Sequence, residues 1–268
     1  NPMRRSTVNI IVLVKQVPDT ESLLEVDTAT ATVNTQDVKW IINSYDEYAI
    51  EEALQIKAAN GAGSVTVVGV GPDRSEQALR TALAMGADTA ILVNDPAAEG
   101  SDALGIAKIL AGVLKEMRYD LVIAGVRAVD DDGYQVPAAV AEYLDLPLVT
   151  AVVKEELGDG MITCHQLVEG GSLVVEAPLP MLFTAQKGLN EPRYASLPGI
   201  MKAKRKPINV QSLADIGLDA ESLGVSRCPV IALNFPPDRS ACRMLQADTP
   251  RAIAAELVQA LHNDAKVV

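Results

Sequence analysis

Aromatic side chains are almost missing from this chain: phenylalanine, tyrosine and tryptophan together supply 3% of it, with one tryptophan and two phenylalanines. Because 49% of the 268 residues are nevertheless hydrophobic, the core has to be aliphatic, and there is enough of it for one large domain or a domain plus an appendage. Cysteine is scarce as well. Cys164, Cys228 and Cys242 are odd in number and widely spaced, which excludes a disulfide framework and fits a reducing compartment. Of the two histidines, His165 lies in an expected strand and His262 near the chain end, and neither is set up as a general base. Cys164 adjoins His165, but neighbours along a strand point to opposite faces, so they do not form a nucleophilic pair. Positive charge is in deficit: 23 Lys and Arg against 35 Asp and Glu give a net charge of -12, and a general nucleic-acid binder is excluded for want of a basic face. No apolar run approaches the roughly 20 residues that cross a bilayer, and no signal-peptide pattern opens the chain. A soluble protein is expected.

What is present is an alternation. Residues 9–14 form a continuous apolar run of strand length, as in a parallel strand covered on both faces. In residues 46–59, Ala49, Ile50, Ala53, Leu54 and Lys57 recur at three- and four-residue spacing, the pattern of an amphipathic helix. A strand at 64–70, a helix at 75–85, a strand at 89–93, a helix at 103–117, a strand at 120–124 and a helix at 134–144 follow. This rhythm predicts an α/β fold with a doubly wound, right-handed parallel sheet. After residue 150 it changes: 152–157, 161–167 and 172–177 read as short strands joined by Gly-Asp-Gly and Gly-Gly turns, a small antiparallel extension. A strand at 181–185, a polar passage and a helix at 250–262 complete the chain. Trp40 and the methionines read as core or interface filler.

Doubly wound sheets bind ligands beyond the carboxyl ends of their strands. Three loops qualify: residues 14–20, the stretch GVGPDRSE from Gly69, and residues 125–136. The second has two glycines of a dinucleotide fingerprint but lacks the third. The last joins a strand to a helix, so its backbone N–H groups and the helix N-terminus suit a phosphate, yet it carries Asp130, Asp131 and Asp132. Either these aspartates cap the helix and face solvent, or backbone amides hold a phosphate while the carboxylates turn away or serve a hydroxyl or amide. No histidine is nearby to complete a metal site.

Residues 188–208, GLNEPRYASLPGIMKAKRKPI, keep neither helical nor strand period. Pro192, Pro198 and Pro207 interrupt them at intervals too short for a full helix, and Lys202, Lys204, Arg205 and Lys206 crowd basic charge onto an acidic protein. A connection this long, partly apolar, reads as a surface loop made to touch a partner.

The run LNEPRYASLPGIMKAK resembles the signature of the beta subunits of electron-transfer flavoproteins. VKQVPD (14–19), RTALAMGAD (80–88) and AVDDDGYQ (128–135) resemble further runs of that family. The resemblance implies an electron carrier subunit, not an enzyme, whose alpha subunit holds most of an FAD. It implies an AMP wrapped by Gly125, Val126, Arg127, Ala128, Val129, Asp130, Asp131, Asp132, Gly133, Tyr134, Gln135 and Val136. Further AMP contacts are implied at Leu13, at Asn43, Ser44, Tyr45 and Asp46, and at Val70. Leu197 would enter a pocket on flavin dehydrogenases such as acyl-CoA dehydrogenases, with Pro198, Ile200, Met201 and Lys202 beside it on a recognition loop spanning 185–207. Electrons would leave for a membrane quinone reductase, in a bacterial cytoplasm or a mitochondrial matrix. Residues 1–225 would form the nucleotide-binding domain and 226–268 an arm that packs on the alpha subunit. Two departures stand out. Pro137 replaces a frequent glycine, and electron-bifurcating members, which use NADH and hold a second FAD in place of AMP, typically read Asp-Gly-Asp-Thr where this chain has Asp131 and Gly133. The added bulk and charge favour AMP.

Overall fold

In the computed structural model, residues 7–239 and 241–267 are described. Thirteen strands are assigned: β1 Val8–Leu13, β2 Gln16–Pro18, β3 Glu25–Asp27, β4 Thr32–Asn34, β5 Trp40–Ile42, β6 Gly63–Val70, β7 Thr89–Val93, β8 Leu121–Gly125, β9 Leu148–Leu157, β10 Met161–Val168, β11 Gly171–Pro178, β12 Met181–Ala185 and β13 Asn209–Gln211. The helices are α1 Ser44–Asn60, α2 Glu76–Met85, α3 Ala103–Lys115, α4 Val136–Tyr143, α5 Leu197–Ala203, α6 Ala220–Leu223 and α7 Pro250–Gln259. Nine strands form one sheet in the order β11-β10-β9-β12-β8-β1-β6-β7-β13. From β9 to β13 every pair is parallel, and β10 and β11 extend the β9 edge antiparallel. The doubly wound expectation holds.

Alternate side chains of the central strand divide the core. Ile10 and Val12 point into the layer that holds Ile50, Leu54 and Leu79 of α1 and α2. Ile11 and Leu13 point the other way, toward Ile109, Leu114 and Val140 of α3 and α4. Strands apolar on both faces are what a sheet covered by helices on both sides demands.

The antiparallel extension is not separate from the main sheet, because the first part of β9 pairs parallel with β12 and only its far half with β10. The transition falls at Ala151, which takes φ 51° and donates its N–H to Thr184 Oγ1 at 2.8 Å. Of the two settings expected for Trp40, the core is excluded: it is half-buried, with the Arg74 guanidinium 4.0 Å above its ring. Residues 134–144 begin their helix only at Val136, because Tyr134 is left-handed (φ 58°) and Gln135 sits at the N-cap.

The segment read as helix-free contains α5. Pro198 lies in its first turn, where the missing N–H is harmless, and Ser196 caps it, Oγ accepting from Gly199 N at 3.1 Å. The helix rests on α2, so closely that a Cβ on Gly199 would lie 2.5 Å from the Ala84 carbonyl oxygen. Arg80 of α2 donates to the carbonyls of Ala203 and Lys206 at 2.9 and 3.1 Å, and Lys206 Nζ to the Ala87 carbonyl at 2.6 Å. The run RTALAMGAD is thus the seat on which this loop is fastened. From Val225 onward no described residue is buried.

Gly199→Ala should lower stability by about 1–3 kcal/mol in denaturant unfolding, the usual cost of forcing atoms into a packed contact, whereas Gly171→Ala, with open space around it, should leave the midpoint nearly unchanged.

Candidate functional site

The chain leaves β1 through α1 to β6 and through α2 to β7, then returns by α3 to β8 on the other side of β1. The crevice outside the carboxyl ends of β1 and β8 is therefore the switch point, where open α/β sheets bind ligands. The two strands pair as far as Leu13 and Ala124, and beyond that the Asp46 side chain bridges the gap. Its Oδ2 accepts from Lys15 N at 2.7 Å, its Oδ1 from Asn43 Nδ2 at 2.9 Å, and it also takes the N–H of Gly125. Asp46 is buried, and burial pushes its carboxyl up to about 7 against the pull of these donors. Gly125 has to be glycine here: a Cβ would collide with Asp46 Oδ1 and lie 2.8 Å from the Tyr45 Cβ.

Asn43, 1% exposed, fastens the loop that follows β8. Its Nδ2 donates to the Arg127 carbonyl at 2.9 Å and its Oδ1 accepts from Val129 N at 3.2 Å. Within this loop Asp132 (φ 49°) and Tyr134 (φ 58°) are left-handed, a conformation that costs energy for residues other than glycine and concentrates at functional sites. None of the three aspartates caps α4, whose N-cap Gln135 makes no side-chain capping bond. They form ion pairs instead: Lys15 Nζ holds Asp130 at 2.8 Å and Asp131 at 3.0 Å, and Arg127 holds Asp132 at 3.1 Å. Burial works against the Lys15 charge, but the two aspartates raise its pKa overall. The Arg127 guanidinium lies 5.1 and 5.7 Å from the ring centres of Tyr45 and Tyr134 and donates to Tyr45 Oη at 3.0 Å, while its Nε is buried without a partner.

A cavity of about 320 Å³ opens between these groups. Of the expected AMP contacts, Leu13, Asn43, Asp46, Val70, Gly125, Arg127, Ala128, Asp131, Gly133, Tyr134, Gln135 and Val136 line it. Ser44, Tyr45, Val126, Val129, Asp130 and Asp132 do not; Tyr45, Asp130 and Asp132 act on its charged residues from behind, and Ser44 is exposed. Sequence reasoning overlooked the opposite wall, Ser101, Asp102, Ala103, Ile106 and Leu110 at the start of α3. The signal was present: an aspartate that caps a helix following a strand, with Asp102 Oδ1 accepting from Leu104 N and Gly105 N at 3.1 and 3.0 Å. Lys15 fell within the candidate loop 14–20 but was not singled out.

The docking candidates lie well away from this cavity along the chain, on the outer face of α5. Leu197 is 80% exposed and Met201 55%; Pro198, Ile200 and Lys202 are exposed beside them. Their carrier is fastened at its far end to α2, and at its root Arg193 and Asn190 bond Glu51 and Glu52 of α1. Cys164 is buried and unbonded, its thiol pushed up to about 12 by burial and by Glu155, so it has no nucleophilic character.

A family model, the electron transfer flavoprotein domain, matches residues 30–216. The electron transfer flavoprotein subunit beta of Bacillus subtilis (strain 168) is 41% identical over 262 residues, covering 97% of this chain and all of the relative. The chain belongs to the electron transfer flavoprotein beta-subunit family. The subunit beta of Thermoanaerobacterium thermosaccharolyticum is 39% identical over 96% of this chain and 98% of its own length. The caffeyl-CoA reductase-Etf complex subunit CarD of Acetobacterium woodii is 38% identical over 95% of this chain and 98% of its own. In this electron transfer flavoprotein chain the matched span takes in α5 and the lining of the switch-point cavity except Leu13, Val14 and Lys15. No described helix is long and apolar enough to cross a membrane.

Replacing Asp46 with alanine would leave three N–H donors at the strand ends without their acceptor. Asp46→Ala should therefore destabilise the fold by about 3 kcal/mol in urea unfolding, since each orphaned buried donor costs roughly 1–3 kcal/mol; an unchanged midpoint would show that the strand ends do not depend on it.

Proposed function

We propose that this chain is the beta subunit of a heterodimeric electron-transfer flavoprotein. It takes electrons from flavin dehydrogenases, acyl-CoA dehydrogenases among them, and passes them to a membrane quinone reductase. The alpha subunit carries most of the FAD site, and the bound FAD supplies the redox chemistry by accepting and releasing electrons. This chain itself catalyses no bond change: its residues position, dock and exclude water, which is what a protein does around a cofactor that carries the reaction. The bacterial source of its relatives supports a place in a bacterial cytoplasm, with the mitochondrial matrix as the other setting.

A structural AMP fits the switch-point cavity. The left-handed loop and the N-terminus of α4 without a side-chain cap suit one phosphate. Arg127, its Nε still unpartnered, and the apolar wall of Ile106, Leu110 and Val136 suit a ribose and a base. The same cavity suits a diphosphate poorly, because Lys15 already balances two carboxylates and Arg127 a third. The second reading, an electron-bifurcating subunit with NADH as donor and a second FAD in place of AMP, is favoured by one observation, the likeness to the CarD subunit of a caffeyl-CoA reductase-Etf complex.

Residues 226–268 act as an arm that packs on the alpha subunit. Ile231, 90% exposed, and Phe235 and Met244 beyond it leave apolar surface that a lone chain would not display.

The observation that carries the docking assignment is the contrast within one loop: Leu197 stands 80% exposed at the start of a helix whose two flanks are hydrogen-bonded into the domain. An apolar anchor presented on a fixed support is how a small interface concentrates its energy, and truncating one costs about 2 kcal/mol or more. In the heterodimer, Leu197→Ala should slow electron uptake from an acyl-CoA dehydrogenase at least tenfold, the rate equivalent of about 1.4 kcal/mol, with the flavin spectrum unchanged. Wild-type uptake by the variant from several dehydrogenases would contradict the assignment.

A further inference from the structure

Beneath the root of the docking loop lies a cluster of acids that the nucleotide cavity does not use. Glu51 and Glu52 are adjacent on α1 and only 4% and 6% exposed. Arg193 closes a bidentate pair with Glu51, Nε at 2.7 Å and Nη2 at 2.9 Å, and adds its backbone N–H at 3.2 Å. Asn190 donates to Glu52 Oε2 at 2.7 Å and to the Tyr48 carbonyl at 3.0 Å. Behind Glu52, on β9, is Glu155, whose Oε2 is buried without a partner. The two carboxyls are in hydrogen-bond contact, which requires a shared proton. Three parts of the fold meet here: a core helix, the antiparallel extension and the docking loop.

We propose that Glu51, Glu52 and Glu155 are positioning residues of the docking loop: through Arg193 and Asn190 they hold its root in the pose that presents Leu197, and the grip depends on the proton shared by Glu52 and Glu155. This rests on the docking assignment above. Both carboxyls are raised, and that of Glu155 reaches about 7 through burial and the charge of Glu52. Its surroundings cannot neutralise it once ionised. On β9 Lys154 is paired with Glu156 at 2.6 Å, and Glu156 itself repels Glu155. From β10 Cys164 faces Glu155 across the register, its thiol pushed up to about 12, and His165 faces Lys154. From α1 Glu51 adds repulsion to Glu52, and the Arg193 charge is committed to Glu51. The sign follows. A carboxyl raised in the folded state contributes stability that is complete below the ordinary glutamate range and disappears as pH climbs through about 7. Above that pH two buried carboxylates face each other, Asn190 is displaced, and the loop root loosens.

The test uses the chain co-expressed with its alpha subunit, comparing wild type with Glu155→Gln, which keeps a donor toward Glu52 but cannot ionise. Amide protection factors of residues 187–204 and the KM for an acyl-CoA dehydrogenase are measured at pH 6 and pH 8. In wild type, loop protection should fall about tenfold between these values, following ionisation one unit beyond the group's pKa, and KM should rise while the rate at saturation holds. Glu155→Gln should show neither change. Glu52→Gln, which removes the repulsion from the other side, gives a second variant if the first fails to assemble. Wild-type protection that is equal at both pH values, or pH dependence that survives in both variants, would overturn the proposal. Protection that shifts with pH while KM does not would keep the clasp and overturn the docking assignment instead.

Discussion

Two neighbouring strands stop pairing at Leu13 and Ala124, and the backbone groups beyond them need a partner inside the protein. Asp46 is that partner. Because it stands at the start of α1 and takes N–H groups from Lys15 and Gly125, it ties one helix to both sides of the switch point. Asn43, three residues earlier, then holds the β8 loop through both atoms of its carboxamide. The cavity, its left-handed loop and the ion pairs of Lys15 and Arg127 all sit on this small frame. A buried carboxylate is costly, and it is tolerable here because its oxygens are engaged by N–H donors.

The same helix serves the second functional region. One turn and a half further along α1, Glu51 and Glu52 receive Arg193 and Asn190, so the switch-point cavity and the loop that carries Leu197 are hung from the first turn and the middle of one helix. The helix does not join them chemically, and its contribution is geometry. Arg80 and Ala84 on α2 seat the other end of the loop, which leaves Leu197 on a short helix with both flanks fixed. For an interface that relies on one apolar anchor, presenting it without loop entropy to lose is the main gain available.

Much of this was legible in the sequence. The strands β7 and β12 fall at 89–93 and 181–185 residue for residue, because apolar runs buried on both faces leave a signal that no neighbouring segment imitates. The switch-point loop was legible as a βα loop, and its left-handed backbone was not, since Tyr134 is not a residue that favours a positive φ and nothing in the sequence singles out Asp132 among three adjacent aspartates. Helix α5 was hidden by its prolines: only Pro198 lies inside it, in the first turn. The strands β2, β3, β4, β5 and β13 have three residues each and carry too little pattern to be read. Lys15 was not singled out because its partners lie 115 and 116 residues away. Glu51 and Glu52 carry no signal of burial in the sequence, and Arg193, which pairs with Glu51, comes 142 residues later. Pairings of that range are a property of the fold alone.

The central claim is that the switch-point cavity holds a single-phosphate adenine nucleotide, because the charge of Lys15 and Arg127 is already balanced by three aspartates. The most direct measurement is a count of the nucleotides released by acid from the purified heterodimer, separated by chromatography and quantified against protein. The account predicts FAD and AMP in equal amounts, one of each per heterodimer. Two FAD molecules per heterodimer and no AMP would contradict it and establish the bifurcating reading in its place.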